Sequence, residues 1–157
     1  MRRGFTMIEL IFVIVILGIL AAVAIPKLAA TRDDAKISKL AANVSTLVSD
    51  AAAYYTSQGQ ANWKTAKWGD ITNVELHKDT KGADSAKDET ATATPAYIVA
   101  NPGGTEDSDC FKITATDDGD LTIENGSDTN STVCAGAQEL AADLIKTHHF
   151  GGQGIVR

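Results

Sequence analysis

The feature that most constrains the fold of this 157-residue chain is an apolar run near its N-terminus. Residues 10–25 contain no polar side chain. As a helix, residues 5–25 would rise about 30 Å, which is the thickness of the hydrocarbon core of a bilayer. Three residues do not suit a plain membrane span: the carboxylate of Glu9, the helix-weakening Gly18 and the helix-breaking Pro26.

Three interpretations of this run compete. Arg2 and Arg3 before the apolar segment suit a secretory signal peptide, with Ala22-Val23-Ala24 as its cleavage site and Ile25 as the mature start. The double arginine also matches part of a twin-arginine signal. We favour the third interpretation, a retained transmembrane helix. The apolar region of a signal is usually about 7–15 residues long, and Glu9 would be unpaired inside it. The carboxylate then needs a partner from another chain.

The residues Gly4-Phe5-Thr6-Met7-Ile8-Glu9, between a short basic leader and the apolar run, resemble the class III signal of type IV pilins and type II secretion pseudopilins. The resemblance implies that a prepilin peptidase cuts after Gly4 and methylates the new N-terminal Phe5. It also implies that Glu9 faces the Phe5 amine of an adjacent subunit during filament assembly. Gly18 and Pro26 lie where this family often has glycine and proline. Beyond residue 30 only the layout is similar.

Physical chemistry allows two partners for the Glu9 carboxylate and two roles for Gly18 and Pro26. The Phe5 amine and the Glu9 carboxylate can pair within one helix or between neighbouring subunits, and we favour the second. Gly18 costs a helix about 1 kcal/mol relative to alanine, and Pro26 removes one helical N–H and is expected to kink or open the helix. Residues 18–26 are therefore either a kink tolerated in a membrane helix or a segment that extends or melts when helices pack in a filament.

After Pro26 the helix is predicted to continue as an amphipathic half, residues 27–58, and to end at Gly59. Apolar residues recur there at three- and four-residue steps, the period of a helix with one buried face: Ile37, Leu40, Val44, Leu47, Val48, Ala51 and Tyr55. We therefore predict an α+β, pilin-like fold. A long kinked N-terminal helix, transmembrane in its first half and amphipathic in its second, packs on a small antiparallel sheet head.

The head is predicted to be a loop followed by the sheet. Trp63 and Trp68 are expected to fill the gap between helix and sheet, and the polar run 77–94 to face solvent. Residues 95–101 form a candidate strand. Residues 131–134 are predicted to add a short strand. A terminal helix is predicted next, stopped by Gly151-Gly152, with one face formed by Ala137, Leu140, Ala141, Leu144 and Ile145.

Residues 110–125 form the best hairpin in the chain. A two-residue Asp118-Gly119 turn would set apolar side chains opposite polar ones. A three-residue turn, Asp117-Asp118-Gly119, with the glycine in the left-handed region, places the apolar residues on one face, and we predict this register. Its expected pairs are Ala115 with Leu121 and Ile113 with Ile123.

Cys110 and Cys134 are the only cysteines, and in an exported head they are expected to form a disulfide. Closing that loop is expected to add about 3–4 kcal/mol of stability. Pilins often have such a cysteine pair near the C-terminus, whereas major pseudopilins usually rely on a calcium-binding loop, so the resemblance favours a pilin. The helix predicted after Cys134 departs from the commonest pilin ending.

Other polar groups are weaker candidates for sites. Several acidic residues offer calcium ligands, but the EF-hand spacing is absent and turn chemistry explains them equally well: Asp117, Asp118, Asp120, Glu124 and Asp128. We predict no metal and no cofactor. His148-His149 is expected to complement a helix dipole rather than to bind metal. Asn130-Ser131-Thr132 is a glycosylation sequon, and Asp128 before it resembles the extended bacterial acceptor, although triplets of this kind often occur by chance.

Charge and motifs exclude two classes of function. Residues 60–157 contain sixteen acidic and eight basic residues, a net charge of −8, so nucleic acid is not an expected partner. The sequence contains no Gly-rich phosphate loop, no serine-nucleophile elbow and no Cys/His nucleophile pair. We therefore predict that the protein is not an enzyme.

The predicted domains are a leader at 1–4, a transmembrane and polymerisation helix at 5–26, the amphipathic half at 27–58 and the head at 59–157. The predicted function is a structural subunit that polymerises into a type IV pilus-like filament after prepilin peptidase processing. A type II secretion pseudopilin acting in protein export is the alternative within the family. A secreted binding or enzyme domain released by signal peptidase is the alternative from another class.

The expected partners are identical or related pilin subunits, the prepilin peptidase, an inner-membrane assembly platform and, before assembly, the membrane itself. We expect a single-pass inner-membrane precursor with its head in the periplasm, and later an extracellular pilus or a periplasmic pseudopilus. The excess of Lys and Arg after the span argues against this orientation. We keep it because long domains translocate largely regardless of charge.

Overall fold

The structure, a computed structural model, describes residues 4–104 and 106–151, apart from the side chain of Ala29. The leader residues Arg2 and Arg3, and Gly152 of the predicted helix stop, lie outside the described residues. The chain divides into two compact units, Met1–Ala35 and Lys36–Arg157. One helix, α1 (Met7–Trp63), contributes residues to both units.

The apolar run in the first unit forms the N-terminal part of α1 without a break. A helix satisfies its backbone hydrogen bonds internally, which suits a run that offers no polar side chains to do so. Pro26 lies inside α1, and the backbone keeps helical φ and ψ there, so the proline does not open the helix. The kink in α1 lies at Gly59, where φ is 74° and ψ is 172°. Gly59 thus breaks the helix as predicted, but α1 continues to Trp63.

In the second unit, the amphipathic part of α1 packs one face on the sheet. Four of the apolar residues predicted to face the head are buried: Leu40, Val44, Leu47 and Ala51. Ile37, Val48 and Tyr55 lie at the margin and are partly buried against the same core. The sheet contributes Ile98, Phe111, Ile113, Leu121 and Ile123 to the core. The period of three and four residues therefore identified the buried face of α1.

The sheet has four antiparallel strands in the order in which they occur in the chain. They are β1 (Ala96–Val99), β2 (Asp109–Ala115), β3 (Asp120–Asn125) and β4 (Thr147–His149). A short helix, α2 (Trp68–Ile71), precedes the sheet, and another, α3 (Thr132–Leu140), lies between β3 and β4. The predicted α+β fold is confirmed: a long N-terminal helix is packed with a small antiparallel sheet, the layout of a pilin-like fold.

The predicted hairpin register is confirmed between β2 and β3. Ala115 pairs with Leu121, and Ile113 pairs with Ile123. Gly119 occupies the left-handed region at φ 88°, as a three-residue turn requires. This register sets all four apolar side chains on the face that meets α1, and each of them is buried.

Two predictions for the C-terminal part were wrong. Residues 131–134, predicted as a strand, enter α3, because the Ser131 hydroxyl accepts a hydrogen bond from the Cys134 N–H and caps the helix. The terminal helix ends at Leu140, which is exposed, and is followed by a 3₁₀ turn at Ala142–Leu144. Strand β4 then takes the place of the predicted helix end.

The segment between α1 and β1 is more ordered than a polar loop. Trp63 and Trp68 are both buried, as predicted, and their indole N–H groups donate to the carbonyls of Thr116 and Thr94 at 2.8 and 3.1 Å. The run 77–94 is largely exposed, but the prediction of a solvent-facing run was wrong at three side chains that are buried: His77, Ala86 and Ala91.

Candidate processing and assembly site

The first turn of α1 is closed by a capping box between Thr6 and Glu9. Thr6 precedes the first helical residue, and its backbone N–H and Oγ1 both donate to Glu9 Oε2 at 2.8 Å. In return, the Glu9 N–H donates to Thr6 Oγ1 at 3.3 Å. These bonds satisfy N–H groups that the start of a helix leaves without partners. Threonine followed three residues later by glutamate, before an apolar run, is the sequence signal of this box, but the box was not among the predictions made from the sequence.

Glu9 keeps one carboxylate oxygen available while it caps the helix. Both Thr6 donors bond to Oε2, and Oε1 accepts no hydrogen bond from the residues that the structure describes. No hydrogen bond joins the Phe5 nitrogen to Glu9 within the described part of the chain, and the side chain of Glu9 is exposed. A donor from outside the chain can therefore reach Oε1 without breaking the cap.

The Gly4–Phe5 peptide bond lies in an exposed, non-helical segment before α1. Phe5 is 85% exposed, and a Cβ at Gly4 would meet no atom within 4 Å. A peptidase needs an accessible backbone that is not held in a helix. Because α1 begins only at Met7, the geometry leaves the bond after Gly4 open to cleavage.

The N-terminal part of α1 is apolar on all sides, and its large apolar side chains from Met7 to Leu28 are exposed. Soluble monomers rarely expose an apolar patch larger than a few hundred Å². An all-apolar helix is instead buried in a membrane or against other helices. Among the described residues, α1 is the one helix long and apolar enough to cross a membrane.

Gly18 and Pro26 lie within this apolar part of α1. A Cβ at Gly18 would meet no atom within 4 Å, so no contact in the described part of the chain requires glycine there. Pro26 likewise is accommodated inside the helix. Both residues weaken a helix, and neither is explained by the packing of the chain on itself.

The two cysteines form a disulfide in the head. Cys110 in β2 and Cys134 in α3 are bonded, with their Cα atoms 4.7 Å apart. Both are fully buried. The bond joins the sheet to α3 across a sequence separation of 24 residues.

The acidic residues considered as calcium ligands do not come together. Asp118 Oδ1 accepts from the Gln60 amide at 3.4 Å, and Asp128 Oδ1 accepts from the N–H groups of Asn130 and Ser131. Asp120 contacts His149, and Glu124 pairs with Lys112 at 3.5 Å. Asp117 lies in the hairpin turn. Within residues 4–104 and 106–151, no group of three His, Cys, Asp or Glu side chains could hold a metal ion.

The expectation that His148 and His149 lie at a helix end was wrong, because both are in β4. Their contacts belong to the sheet. A ring nitrogen of His148 lies 2.9 Å from the Leu144 carbonyl oxygen, and His149 Nδ1 lies 2.7 Å from Asp120 Oδ1. The two side chains therefore hold β4 to the 3₁₀ turn and to β3.

Residues 1–25 match a family model described as the prokaryotic N-terminal methylation motif. This motif is the class III signal of type IV pilins and pseudopilins, and it covers Gly4, Phe5, Glu9 and Gly18. No curated protein and no solved structure matches the chain.

Proposed function

Because residues 1–25 are a prokaryotic N-terminal methylation motif, the class III signal of pilin-type precursors, we propose that the mature chain polymerises into a type IV pilus-like filament. In this proposal a prepilin peptidase cuts after Gly4 and methylates Phe5. The precursor is anchored in the inner membrane by α1 with its head in the periplasm. Its partners are further pilin subunits and an inner-membrane assembly platform.

The observation that carries the proposal is the exposed apolar helix that begins within the motif. Such a surface is stable in a membrane before assembly and against the helices of other subunits afterwards. A filament core made of these helices exchanges lipid for protein contacts. The same helix therefore serves both states.

Glu9 determines how the helices of neighbouring subunits are aligned in the filament. Its Oε1 has no hydrogen bond within the described part of the chain, and the methylated amine of Phe5 in an adjacent subunit supplies a positive charge. In an environment with little water, an unpaired carboxylate or amine is costly, so the pairing favours one relative position of neighbouring helices. The capping box with Thr6 holds the carboxylate in place for this contact.

Gly18 and Pro26 make the middle of the apolar helix easier to extend. No contact within the described part of the chain requires either residue, and both weaken the helix. We assign to residues 18–26 the role of a segment that loosens when helices pack side by side in the filament.

Pseudopilins carry the same signal, so a pseudopilus that acts in type II secretion is the second candidate. The disulfide between Cys110 and Cys134 favours the pilus, since the resemblance implies a cysteine pair of this kind in pilins and a calcium-binding loop in major pseudopilins. The location of the filament distinguishes the two candidates, because a pilus extends outside the cell and a pseudopilus stays in the periplasm.

The test of processing is intact mass and N-terminal sequencing of the protein from its native host. We expect the mature chain to begin at methylated Phe5. A start at Ile25 would mean that signal peptidase releases a secreted domain without the polymerisation helix, and the proposed function would be wrong.

The test of assembly compares Glu9→Ala with Thr6→Ala. Both variants lose the capping box, but Thr6→Ala keeps the carboxylate. We expect Glu9→Ala to insert into the membrane but to weaken the association of subunits by about 1.4 kcal/mol, a factor of ten in the association constant, and so to lower the filament yield. Thr6→Ala is expected to lower it much less. The yield is measured on sheared filaments, relative to total membrane protein. Equal yields from the two variants would mean that Glu9 acts only as a capping residue.

A further inference from the structure

The sequence contains three Asn-x-Ser/Thr triplets, the acceptor pattern for N-linked glycosylation, and the fold treats them differently. They begin at Asn43, Asn125 and Asn130. An oligosaccharyltransferase reads the asparagine amide together with the hydroxyl two residues later. An acceptor triplet therefore needs both side chains free and its asparagine outside any helix or strand.

The first two triplets do not meet this requirement. Asn43 is half-buried in the middle of α1, and the Val44 side chain that follows it is fully buried in the core. Asn125 is the last residue of β3, paired with Phe111, and the hydroxyl of its triplet, Ser127 Oγ, donates to Asp109 Oδ1 at 2.6 Å. The asparagines of these two triplets are therefore held in regular secondary structure, Asn43 in a helix and Asn125 in a strand.

The third triplet lies in the short connection from β3 to α3. Asn130 is exposed outside any helix or strand, Ser131 is the N-cap of α3, and Thr132 is the exposed first residue of the helix. A cleft of about 700 Å³ lies beside Asn130 and is lined by polar side chains, among them Asn101, Asp107 and Ser127. Among the residues that the structure describes, those that line this cleft are polar or glycine.

Neighbouring side chains, rather than Asn130 and Thr132 themselves, hold this segment in place. Asp128 Oδ1 accepts from the backbone N–H groups of Asn130 and Ser131, both at 3.1 Å. Ser131 Oγ accepts from the Cys134 N–H at 3.2 Å. In the described part of the chain, the side chains of Asn130 and Thr132 take part in no hydrogen bond. A loop asparagine commonly bonds its own backbone, and here Asp128 fills that role.

We propose that Asn130 is the acceptor of an N-linked glycan on the exported head. The donor is an oligosaccharide linked to a polyisoprenyl diphosphate. The bond between the sugar C1 and the diphosphate oxygen breaks, a bond forms between C1 and Asn130 Nδ2, the lipid diphosphate leaves, and one Nδ2 proton passes to a base of the transferase. The inference rests on the proposed function for one condition, that the head is exported.

The experiment expresses the full-length chain in a bacterium that has a prepilin peptidase and whose periplasm contains an oligosaccharyltransferase and its lipid-linked oligosaccharide. Peptide mapping by mass spectrometry then determines three properties of the same purified protein. These are the N-terminal residue, the Cys110–Cys134 bond, which reports export, and the three asparagines. We expect a glycopeptide at Asn130 and unmodified peptides at Asn43 and Asn125.

Four variants distinguish an N-linked glycan from other modifications. Asn130→Gln and Thr132→Ala are expected to abolish the modification. Ser131→Ala, which keeps the Asn-x-Thr triplet but loses the helix cap, and Thr132→Ser are expected to retain it. Since the Asn130 side chain makes no hydrogen bond to the residues that the structure describes, Asn130→Gln should leave the disulfide and the tryptophan fluorescence of the head unchanged.

The outcomes separate this inference from the proposed function. Disulfide-bonded protein with an unmodified Asn130, or with a glycan at Asn43 or Asn125 instead, overturns the acceptor site. A sugar that persists on the peptide containing position 130 in Asn130→Gln would be O-linked and overturns it as well. A glycan at Asn130 in protein that is not cleaved after Gly4 supports the acceptor site and contradicts the proposed processing.

Discussion

At the scale of single residues, Gly119 combines a backbone requirement with a packing requirement. Its φ of 88° lies in the left-handed region, which residues with a Cβ avoid. A Cβ at this position would also collide with the ring of Tyr55 on α1. The turn glycine of the hairpin thus lies directly against the Tyr55 ring of α1. The sequence indicated the turn, whereas the contact with Tyr55 depends on the tertiary structure.

Gly119→Ala and Gly103→Ala separate these two requirements. Gly103 has a similar φ of 76°, but a Cβ there would meet no atom within 4 Å. We expect Gly103→Ala to lower the free energy of unfolding by about 1 kcal/mol and Gly119→Ala by about 3 kcal/mol, because the second variant adds overpacking to backbone strain. Urea unfolding of the full-length chain in detergent, followed by the fluorescence of Trp63 and Trp68, measures both. Equal losses would mean that the Tyr55 ring moves aside at no cost.

The carboxylate of Asp79 stabilises the turn that follows it in the chain. Its Oδ1 accepts from the N–H groups of Lys81 and Ala83 at 2.9 and 3.1 Å, and its Oδ2 accepts from that of Asp84 at 2.8 Å. The N–H groups of Ala83 and Asp84 stabilise the charged carboxylate and hold the pKa of Asp79 below its ordinary value. A carboxylate that is more acidic in the folded than in the unfolded state stabilises the fold only while it is ionised.

The stabilisation by Asp79 is therefore expected to be complete above about pH 4, the ordinary pKa range of aspartate, and to be lost as the pH falls through the lowered pKa of the folded state. Asp79→Asn should be less stable than the natural chain near neutral pH, and this difference should shrink on acidification. Because Asp79 is only partly buried, solvent screening keeps the effect small. Urea unfolding at several pH values measures the difference. Asp143→Asn serves as the control, since Asp143 is exposed and accepts no hydrogen bond within the described residues. A difference that does not change with pH would contradict this account.

At the scale of elements, the C-terminal segment shows how one cap decides between strand and helix. The β-branched residues Thr132 and Val133 favour a strand, and the sequence analysis predicted one. Ser131 instead caps α3, and Val133, Ala137 and Ala141 are buried at a spacing of four residues. That spacing, with a serine two residues before it, was present in the sequence.

Ser131→Ala tests the cap. The substitution removes the oxygen that accepts from the Cys134 N–H, so we expect the free energy of unfolding to fall by about 1 kcal/mol. Thr129→Ala is the matched control, because Thr129 is exposed in the same connection and makes no side-chain hydrogen bond within the described residues. Hydrogen exchange of the α3 amides should rise in Ser131→Ala and not in Thr129→Ala. Unchanged exchange in both variants would mean that the disulfide alone holds the start of the helix.

At the scale of the whole molecule, the head depends on one covalent link between its sheet and α3. The double variant Cys110→Ala with Cys134→Ala removes the bond that links two residues separated by 24 positions in the sequence. We expect the free energy of unfolding to fall by about 3–4 kcal/mol, because the unfolded chain regains the conformations that the loop excluded. Unfolding of the double variant, compared with the natural chain in detergent, measures the loss. A loss below about 1 kcal/mol would mean that the packing of α3 makes the bond dispensable.

The sequence by itself determined the elements whose signals are local or repeat along the chain. These are the apolar helix with its processing motif, the buried stripe of α1, and the hairpin register, where a one-residue slip would turn Ile113 and Ile123 to the wrong face. Tertiary structure alone decided the rest. Strand β4 is three residues of polar and aromatic character with no periodicity, and it exists because β3 offers an edge and because Thr122 and Asp120 bond Thr147 and His149. The burial of His77, Ala86 and Ala91 likewise depends on contacts with other segments of the chain. Such contacts leave no local pattern, because their free energy comes from partners that are close only after the chain has folded.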